Sequence, residues 1–540
     1  MKGRLWFSGV MALVGATMLI AATTASGGNA GAAQKKGGTH RILNTSDFDH
    51  IDTALSYFTH SWNLAGATQL RMYYYPYVNG PKSERIEPMA AQGQPKVSKD
   101  GKTFTITIKK GFKFSNGENV TAANFKRAFD RAQNAKLQSP ASSFLDDLTS
   151  ATSPNATTLV LKLKRVAPDF LARITMPFFS AVLTSTPLDT GIEKGPLHSA
   201  GPYYLQEWTK KTSALMVRNP NWNNAKEPFK SLGLQNNIDR VTWAGIGGDL
   251  AQHQLQCERN EADDCGFPTA QAKELADKYG INKGRFFVDK DLLVWRVDLN
   301  NEQPLFKGNP NLRKAVQHAL DRRFMTQQHG FLAGRRTDQF LPYGMPGFKE
   351  ANVYSVKGPN YTRAKQLAQG NTRTGKAVYY AFNRTFGPAV AQSVQFNLKQ
   401  IGLDVEIKLF DRVVQNTKAA TRGEAFDITH EGWHADYPDP SNFINVLLDG
   451  RRLQAENNVN TSYFSGDGVK DYAKKLDAAF AATGQKRLDL YAQLDKDIMA
   501  NGAPTVPYIS GNTRRFFSSE VGCVAYNAQV GTILTSICKK

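Results

Sequence analysis

The residues best suited to chemistry lie together at His430, Glu431 and His434, spaced as in the HExxH pattern of zinc peptidases. That chemistry needs a helix, so that two histidines one turn apart face the metal while the glutamate activates water. The surrounding residues oppose a helix. Gly432 interrupts the pattern, Tyr437-Pro438-Asp439-Pro440 follows it, and Ala425-Phe426-Asp427-Ile428 reads as a strand entering a loop. Glu456 could be nominated as a third ligand, but nothing in the pattern places it beside the histidines. A second arrangement, from Gly370 to Gly375-Lys376, has the Gly and Lys spacing of a phosphate-binding loop. Ala377 stands where a hydroxyl would hold magnesium, and the segment falls between a helix and a strand instead of strand and helix. It reads as a helix stop and turn. No GxSxG turn occurs, and no Ser, His and Asp set follows from chain order. The sequence predicts no catalytic centre, no metal site and no cofactor.

The elements that must position any site are readable from hydrophobic period. Phe104, Ile106 and Ile108 alternate with Thr and Lys over 103–109, the period of a half-buried strand. Asn116-Gly117 supplies a turn, and Thr121 can cap a helix carrying Phe125 and Phe129 on one face. Leu159, Leu161 and Leu163 repeat the strand alternation, which makes this region a compact α+β unit. Further on, 376–382 is strand-like, Val390, Val394, Leu398 and Ile401 mark a helix face closed by Gly402, and Val405, Ile407 and Leu409 alternate as a second strand. That succession is a βαβ unit and therefore parallel sheet. Asn309-Pro310 starts another helix, with Leu312, Val316, Leu320 and Phe324 at spacings of four.

The 540-residue length implies two or three domains. Residues 1–33 run from Lys2 and Arg4 through an apolar stretch at 5–22 to Ala30-Gly31-Ala32-Ala33, the order of a secretory signal peptide. No cysteine lies near the cleavage region, so no lipid anchor is expected there, and the expected location is the periplasm or the outer face of the cell envelope. The formal net charge is +20, yet the basic residues are scattered, with nothing denser than pairs such as Lys35-Lys36 and Arg322-Arg323. Scattered charge favours a solvated surface over nucleic-acid recognition. The four cysteines, Cys257, Cys265, Cys523 and Cys538, read as two disulfides in an oxidising compartment. Proximity favours Cys257 with Cys265 and Cys523 with Cys538, and two other pairings remain open.

Several segments, taken in chain order, resemble a known family. The most specific is Asp100-Gly101-Lys102-Thr103-Phe104 with Gly111, continuing through Phe112-Lys113-Phe114-Ser115-Asn116-Gly117 to Val120-Thr121-Ala122-Ala123-Asn124-Phe125. Gly201-Pro202-Tyr203, Glu207-Trp208 and Arg218-Asn219-Pro220-Asn221-Trp222 follow, then 309–321, Phe340-Leu341-Pro342 and Ala503-Pro504-Thr505-Val506-Pro507. Together they are similar to the peptide-binding solute-binding proteins of ABC importers, family 5 of the bacterial extracellular binding proteins, over residues 38–540.

The resemblance implies an α/β, two-lobed periplasmic-binding-protein fold with an extra α+β subdomain and a ligand cleft between the lobes. Lobe I would comprise 38–78, 198–294 and 511–540, the extra subdomain 79–197, and lobe II 295–510. It also reinterprets the HExxH. The segment Trp433-His434-Ala435-Asp436-Tyr437-Pro438-Asp439-Pro440 resembles a stretch whose tryptophan and aspartate line the cleft, which gives Asp436 the ligand's α-ammonium. Trp433, His434 and Tyr437 are candidate lining residues. Ser56 and Tyr57 are candidate contacts on the cleft floor, from a looser match over 44–57. The implied partners are a short peptide and the permease subunits of an ABC importer, with the binding protein a monomer. A sugar, a metal chelate or an opine is the alternative ligand within the family, and a zinc hydrolase the alternative outside it.

Overall fold

A computed structural model describes residues 35–43, 46–78, 83, 85–372 and 375–540. The expected signal peptide lies outside these residues, as do Asn44 of the looser cleft-floor match and two positions of the Gly370 to Lys376 turn. Among the described residues no helix is long and apolar enough to cross a membrane.

One 11-stranded mixed sheet organises the molecule. Its middle is made by two long antiparallel neighbours, Phe286–Leu299 and Thr505–Phe517. On one side of them lie Asp264–Cys265, Thr39–Leu43, Arg240–Ala244, Ser213–Arg218 and Tyr203–Thr209. On the other side lie Ile428–His434, Ala377–Phe382 and Val405–Phe410. The two long strands thus carry the chain between two halves of the fold. Their register slips between Lys290 and Val294 and again between Trp295 and Arg296, local breaks in the ladder.

The βαβ unit is present as expected. Ala377–Phe382 pairs in parallel with Val405–Phe410 across the helix Gly387–Lys399, and Gly402 takes a positive φ of 79° after that helix ends. Two expectations need correction. The helix begun at Asn309, whose side chain accepts from Leu312 N at 3.2 Å, ends at Ala319. Leu320 is extended, and Asp321 caps a separate helix, Arg322–Gln327, by accepting from the Arg323 and Phe324 amides. Phe324 consequently points to solvent and is no part of the first helix's apolar face. Leu409 is also exposed, because its strand is the outermost of the sheet and only Val405 is buried beneath it.

The α+β unit forms as the alternation implies. Thr103–Thr107 pairs with Thr158–Leu163 in a four-stranded sheet, and the helix Ala122–Gln133 starts at a capping box between Thr121 and Asn124, an arrangement that stabilises a helix start by about 1 kcal/mol. Its core is continuous with Trp62, Leu70, Met72 and Trp222, so the unit is packed onto the first half of the fold. Disulfides join Cys257 to Cys265 and Cys523 to Cys538.

Candidate functional site

The HExxH residues sit on a strand, Ile428–His434. The sequence placed the end of a strand just before them; the strand instead runs through all five, because Leu293 to Leu299 pairs with it along its whole length. His430 is fully buried, and burial holds its imidazole well below the ordinary value, with His329 adding to the effect. The Tyr508 hydroxyl lies 2.7 Å from the Nε2 of both His430 and His329, donating to one ring and accepting from the other. Glu431 is held by Arg412 at 3.2 Å and by the Gln415 amide at 2.7 Å. His434 pairs with Asp291 at 2.7 Å. The three side chains therefore serve three separate networks, and no metal-holding cluster forms among the described residues.

The other edge of this strand is open. It pairs with Ala377–Phe382 only through Ile428 and Thr429. Arg412 and Gln415 reach the His430 carbonyl at 3.1 and 3.4 Å, and from Gly432 to His434 no strand covers the edge among the described residues. Gly432 is required here, since a Cβ would lie 2.8 Å from the Trp295 ring. An exposed row of backbone donors and acceptors is a template for another extended chain.

Two cavities border this edge. One, of about 730 Å³, is lined by Glu431, Gly432 and Trp433 on one side and by Tyr57, Pro140 and Phe144 on the other. Arg296, Arg412 and Arg452 also line it. Arg296 is buried, its Nε donates to Asp298 at 2.9 Å, and its Nη1 has no partner among the described residues. The other cavity, of about 620 Å³, receives His434 and Asp291 together with Asp264, Trp243, Phe267 and Tyr526. Burial alone would lower the His434 imidazole, but the charge and hydrogen bond of Asp291 outweigh it and hold the ring above its ordinary value.

Asp436 lies beyond the strand and lines neither cavity. It is buried, accepts from Asn442 Nδ2 at 2.7 Å, and has no cationic partner among the described residues except the nearby His434 charge. Burial pushes its carboxyl up to about 6 against hydrogen bonds from Asn442 and Tyr57. Tyr57 comes from the first half of the fold and covers this carboxyl. Its loop is pinned by Asp49, which accepts from Tyr57 N at 2.6 Å, and by a fully buried bidentate pair of Asp52 with Arg131 at 2.7 Å. Removing one partner of such a pair costs about 3–5 kcal/mol. Ser56 is buried beneath, its hydroxyl without a partner among the described residues and its carbonyl accepting from Trp62 Nε1 at 2.9 Å.

Further contacts join the halves around Asp436. Gln529 donates to the Asp436 carbonyl at 2.9 Å and to Thr175 Oγ1 at 3.1 Å, and accepts from Arg71 at 3.1 Å. Tyr437 and Ser441 donate to Asp169 at 3.2 and 2.9 Å. Trp433 faces the larger cavity with its indole N–H fixed on Asn442 at 3.2 Å. Of the residues expected from sequence, the structure thus brings Tyr57, Trp433 and His434 to cavity walls, and sets Asp436, Tyr437 and Ser56 in the contact between halves. Arg296, Arg412, Asp264, Asp291 and Gln529 were not anticipated. Asp291 and Arg296 did leave a signal, as charges within the long strand Phe286–Leu299; the others left none.

The family model "Bacterial extracellular solute-binding proteins, family 5 Middle" matches residues 85–454. The sequence is 25% identical over 500 residues to the probable D,D-dipeptide-binding periplasmic protein DdpA of Escherichia coli (strain K12), covering 90% of this chain and 91% of that protein. In fold, the chain is similar to the clavulanic acid biosynthesis oligopeptide binding protein 2, with a TM-score of 0.84, 22% identity, and 94% and 96% of the two chains covered. It is also similar to the periplasmic binding protein DppA of Helicobacter pylori in complex with the peptide STSA, with a TM-score of 0.75, 20% identity, and 94% and 98% covered. The architecture is accordingly the two-lobed one of periplasmic peptide-binding proteins.

Proposed function

Because this chain belongs to family 5 of the bacterial extracellular solute-binding proteins, the substrate-binding components of ABC importers, we propose that it captures short peptides between its lobes and delivers them to permease subunits. The observation that carries this reading is the open strand edge from Gly432 to His434, with a cavity at each end. A peptide in extended form would add to that edge through its backbone and drop its side chains into the flanking space. Sequence tolerance follows, since the backbone bonds are common to all peptides.

The charges give the bound peptide a direction. Its α-ammonium is assigned to Asp436, whose buried carboxyl lacks a cation of its own, and its carboxylate to the cavity of Arg296, Arg412 and Arg452. Charge-assisted hydrogen bonds at both ends favour a zwitterion of limited length. Trp433, His434, Tyr57, Tyr437 and Ser56 complete the proposed site. Tyr57 and Gln529 must part from Asp436 for a ligand to enter, so binding is coupled to a hinge motion. The proposed lobes are 38–78, 198–294 and 511–540 for the first and 295–510 for the second, with 79–197 as the subdomain; the register slip between Lys290 and Val294 supports a hinge there. In this reading the protein is exported, acts as a monomer and catalyses nothing.

Calorimetric titration of the protein with di- to pentapeptides tests the reading. Peptides of about three residues should bind with micromolar or tighter Kd, and N-methylation of one internal amide should weaken binding by about 1 kcal/mol for the lost hydrogen bond. Equal affinity for all N-methylated analogues would remove the strand edge from the account. Binding of an opine or a sugar in place of any peptide would move the protein to another branch of the family.

A further inference from the structure

The smaller cavity holds a carboxylate that the peptide-binding reading does not use. Asp264 begins the two-residue strand Asp264–Cys265, which is paired with Thr39–Leu43 on one side and with the Phe516-Phe517 end of the long strand on the other. The disulfide from Cys265 to Cys257 ties it further. Its backbone is therefore fixed on both edges and at its C-terminal neighbour, and its side chain faces a cavity of about 620 Å³.

Adjacent residues on this stretch are treated oppositely. Asp263, on the other face, has a fully covered side chain and is met by Arg41 at 3.0 Å, Lys539 at 2.6 Å and the Ser518 hydroxyl at 3.3 Å. Asp264 has no hydrogen-bond or ion-pair partner among the described residues. Of the other charges around the cavity, Asp291 and Arg515 are already paired, and Arg514 is held at a neutral carbonyl. Asp291 is bound by His434 at 2.7 Å and Thr513 at 2.6 Å, Arg515 is forked onto Asp289 at 2.7 and 2.9 Å, and Arg514 donates to the Phe331 carbonyl at 2.9 Å. Burial raises the Asp264 carboxyl to about 7, only partly opposed by the Arg515 charge. A desolvated carboxyl with no direct ion pair is unfavourable in its ionised form. Trp243, Phe267 and Tyr526 line the same space and offer rings against which an alkyl stem can lie.

We propose that this cavity is a side-chain pocket for a basic residue of the ligand, with Asp264 receiving its ammonium or guanidinium. The proposal rests on the peptide reading and names the substrate class within it: short peptides carrying Lys or Arg at one position. The aromatic walls take the stem, Asp264 takes the head, and the open edge at His434 leads the peptide backbone past the mouth.

The test is calorimetry on the whole protein with trialanine and with tripeptides carrying Lys, Arg or norleucine at each position in turn. At one position Lys or Arg should bind at least about tenfold tighter than norleucine, the scale of one charge-assisted hydrogen bond in a desolvated site. Asp264→Asn should abolish that gap while trialanine binds within about twofold of the parent, since an uncharged ligand side chain makes no demand on the carboxylate. Asp264→Ser serves as the second variant if the amide disturbs the strand, with unchanged thermal unfolding as the control. Norleucine equal to Lys and Arg at every position, or a preference that survives both variants, overturns the proposal while leaving peptide binding intact. Failure of every tripeptide, trialanine included, overturns the peptide reading and this proposal together.

Discussion

The cavity reached through Trp433 and the cavity reached through His434 are neighbours on one strand, yet their charged groups are arranged differently. The first gathers Arg296, Arg412 and Arg452 against a single Glu431 that Arg412 already holds. The second sets Asp264 and Asp291 among Arg514, Arg515 and His434, with Asp291 bound by His434 at 2.7 Å and Asp264 left without a direct partner among the described residues. Period-two alternation sends successive side chains of a strand to opposite faces, so one short segment can serve both cavities while its backbone edge stays free. A site can thus be tolerant of sequence and still have distinct ends: backbone bonding is uniform along the edge, while one cavity is rich in arginine and the other holds a carboxylate left unpaired among the described residues.

The polarity of the bound peptide is tested most severely at Asp436, which lies beyond both cavities. Asp436→Ala should weaken binding of an unblocked peptide by about 2–5 kcal/mol, the range for truncating one partner of a buried charged pair. An N-acetylated peptide should bind weakly and respond little to the same substitution. Calorimetry on both ligands checks this, and an unchanged Kd for the free peptide would place the ammonium elsewhere.

At the basic end the effect is smaller. Amidating the C-terminus should cost about 1.5–3 kcal/mol, as for a hydrogen bond to a charged group, because Arg296 and Arg412 then face a neutral acceptor. If amidation costs nothing while acetylation costs much, only the acidic side of the comparison stands.

Acid should act on one end alone. Burial pushes the Asp436 carboxyl up to about 6, and an ammonium needs its ionised form. Below that pH, affinity for a free peptide should fall by up to about tenfold per pH unit, since each ligand must displace a bound proton. Above it, affinity should level off. Binding measured from pH 7.5 down to 4.5 with an N-acetylated reference peptide reads this directly, and a flat profile for both ligands would exclude Asp436.

The smallest effect on binding is expected behind the cavity that holds Asp264. Replacing Cys257 and Cys265 by Ser opens a loop of sequence separation 8 and should lower unfolding free energy by about 2–3 kcal/mol. Peptide affinity should stay within about twofold, because the Asp264–Cys265 ladder persists through its two strand partners. Denaturant unfolding and calorimetry on the same sample separate the two. A large loss of affinity would show that the cavity wall depends on the disulfide.

Much of this was readable from local pattern. The capped helix after Thr121, the βαβ unit closed at Gly402 and the non-helical HExxH segment all follow from spacing, turn residues and proline, which act within a few positions. Leu320 misled because apolar residues four apart continue across the break, and only the Asp321 cap, formed by its own side chain, starts a new helix. Leu409 misled because alternation reports a strand and is silent on whether that strand lies at the edge. The charged residues of the site were the least legible. Asp291 meets His434 across a sequence separation of 143, and Gln529 meets Asp436 across 93, so no window of sequence contains both partners. Family resemblance supplied Asp436 and Trp433, and said nothing of Asp264 or Arg296.

Native mass spectrometry of the protein purified without unfolding tests the central claim most directly, because it reads whatever the cleft has retained. The account predicts a series of adducts with the masses of short peptides, lost together on denaturation and shifted to a single mass when one tight-binding tripeptide is added in excess. One zinc per chain with no organic adduct, displaced by a chelator and not by peptide, would contradict it and return attention to His430, Glu431 and His434.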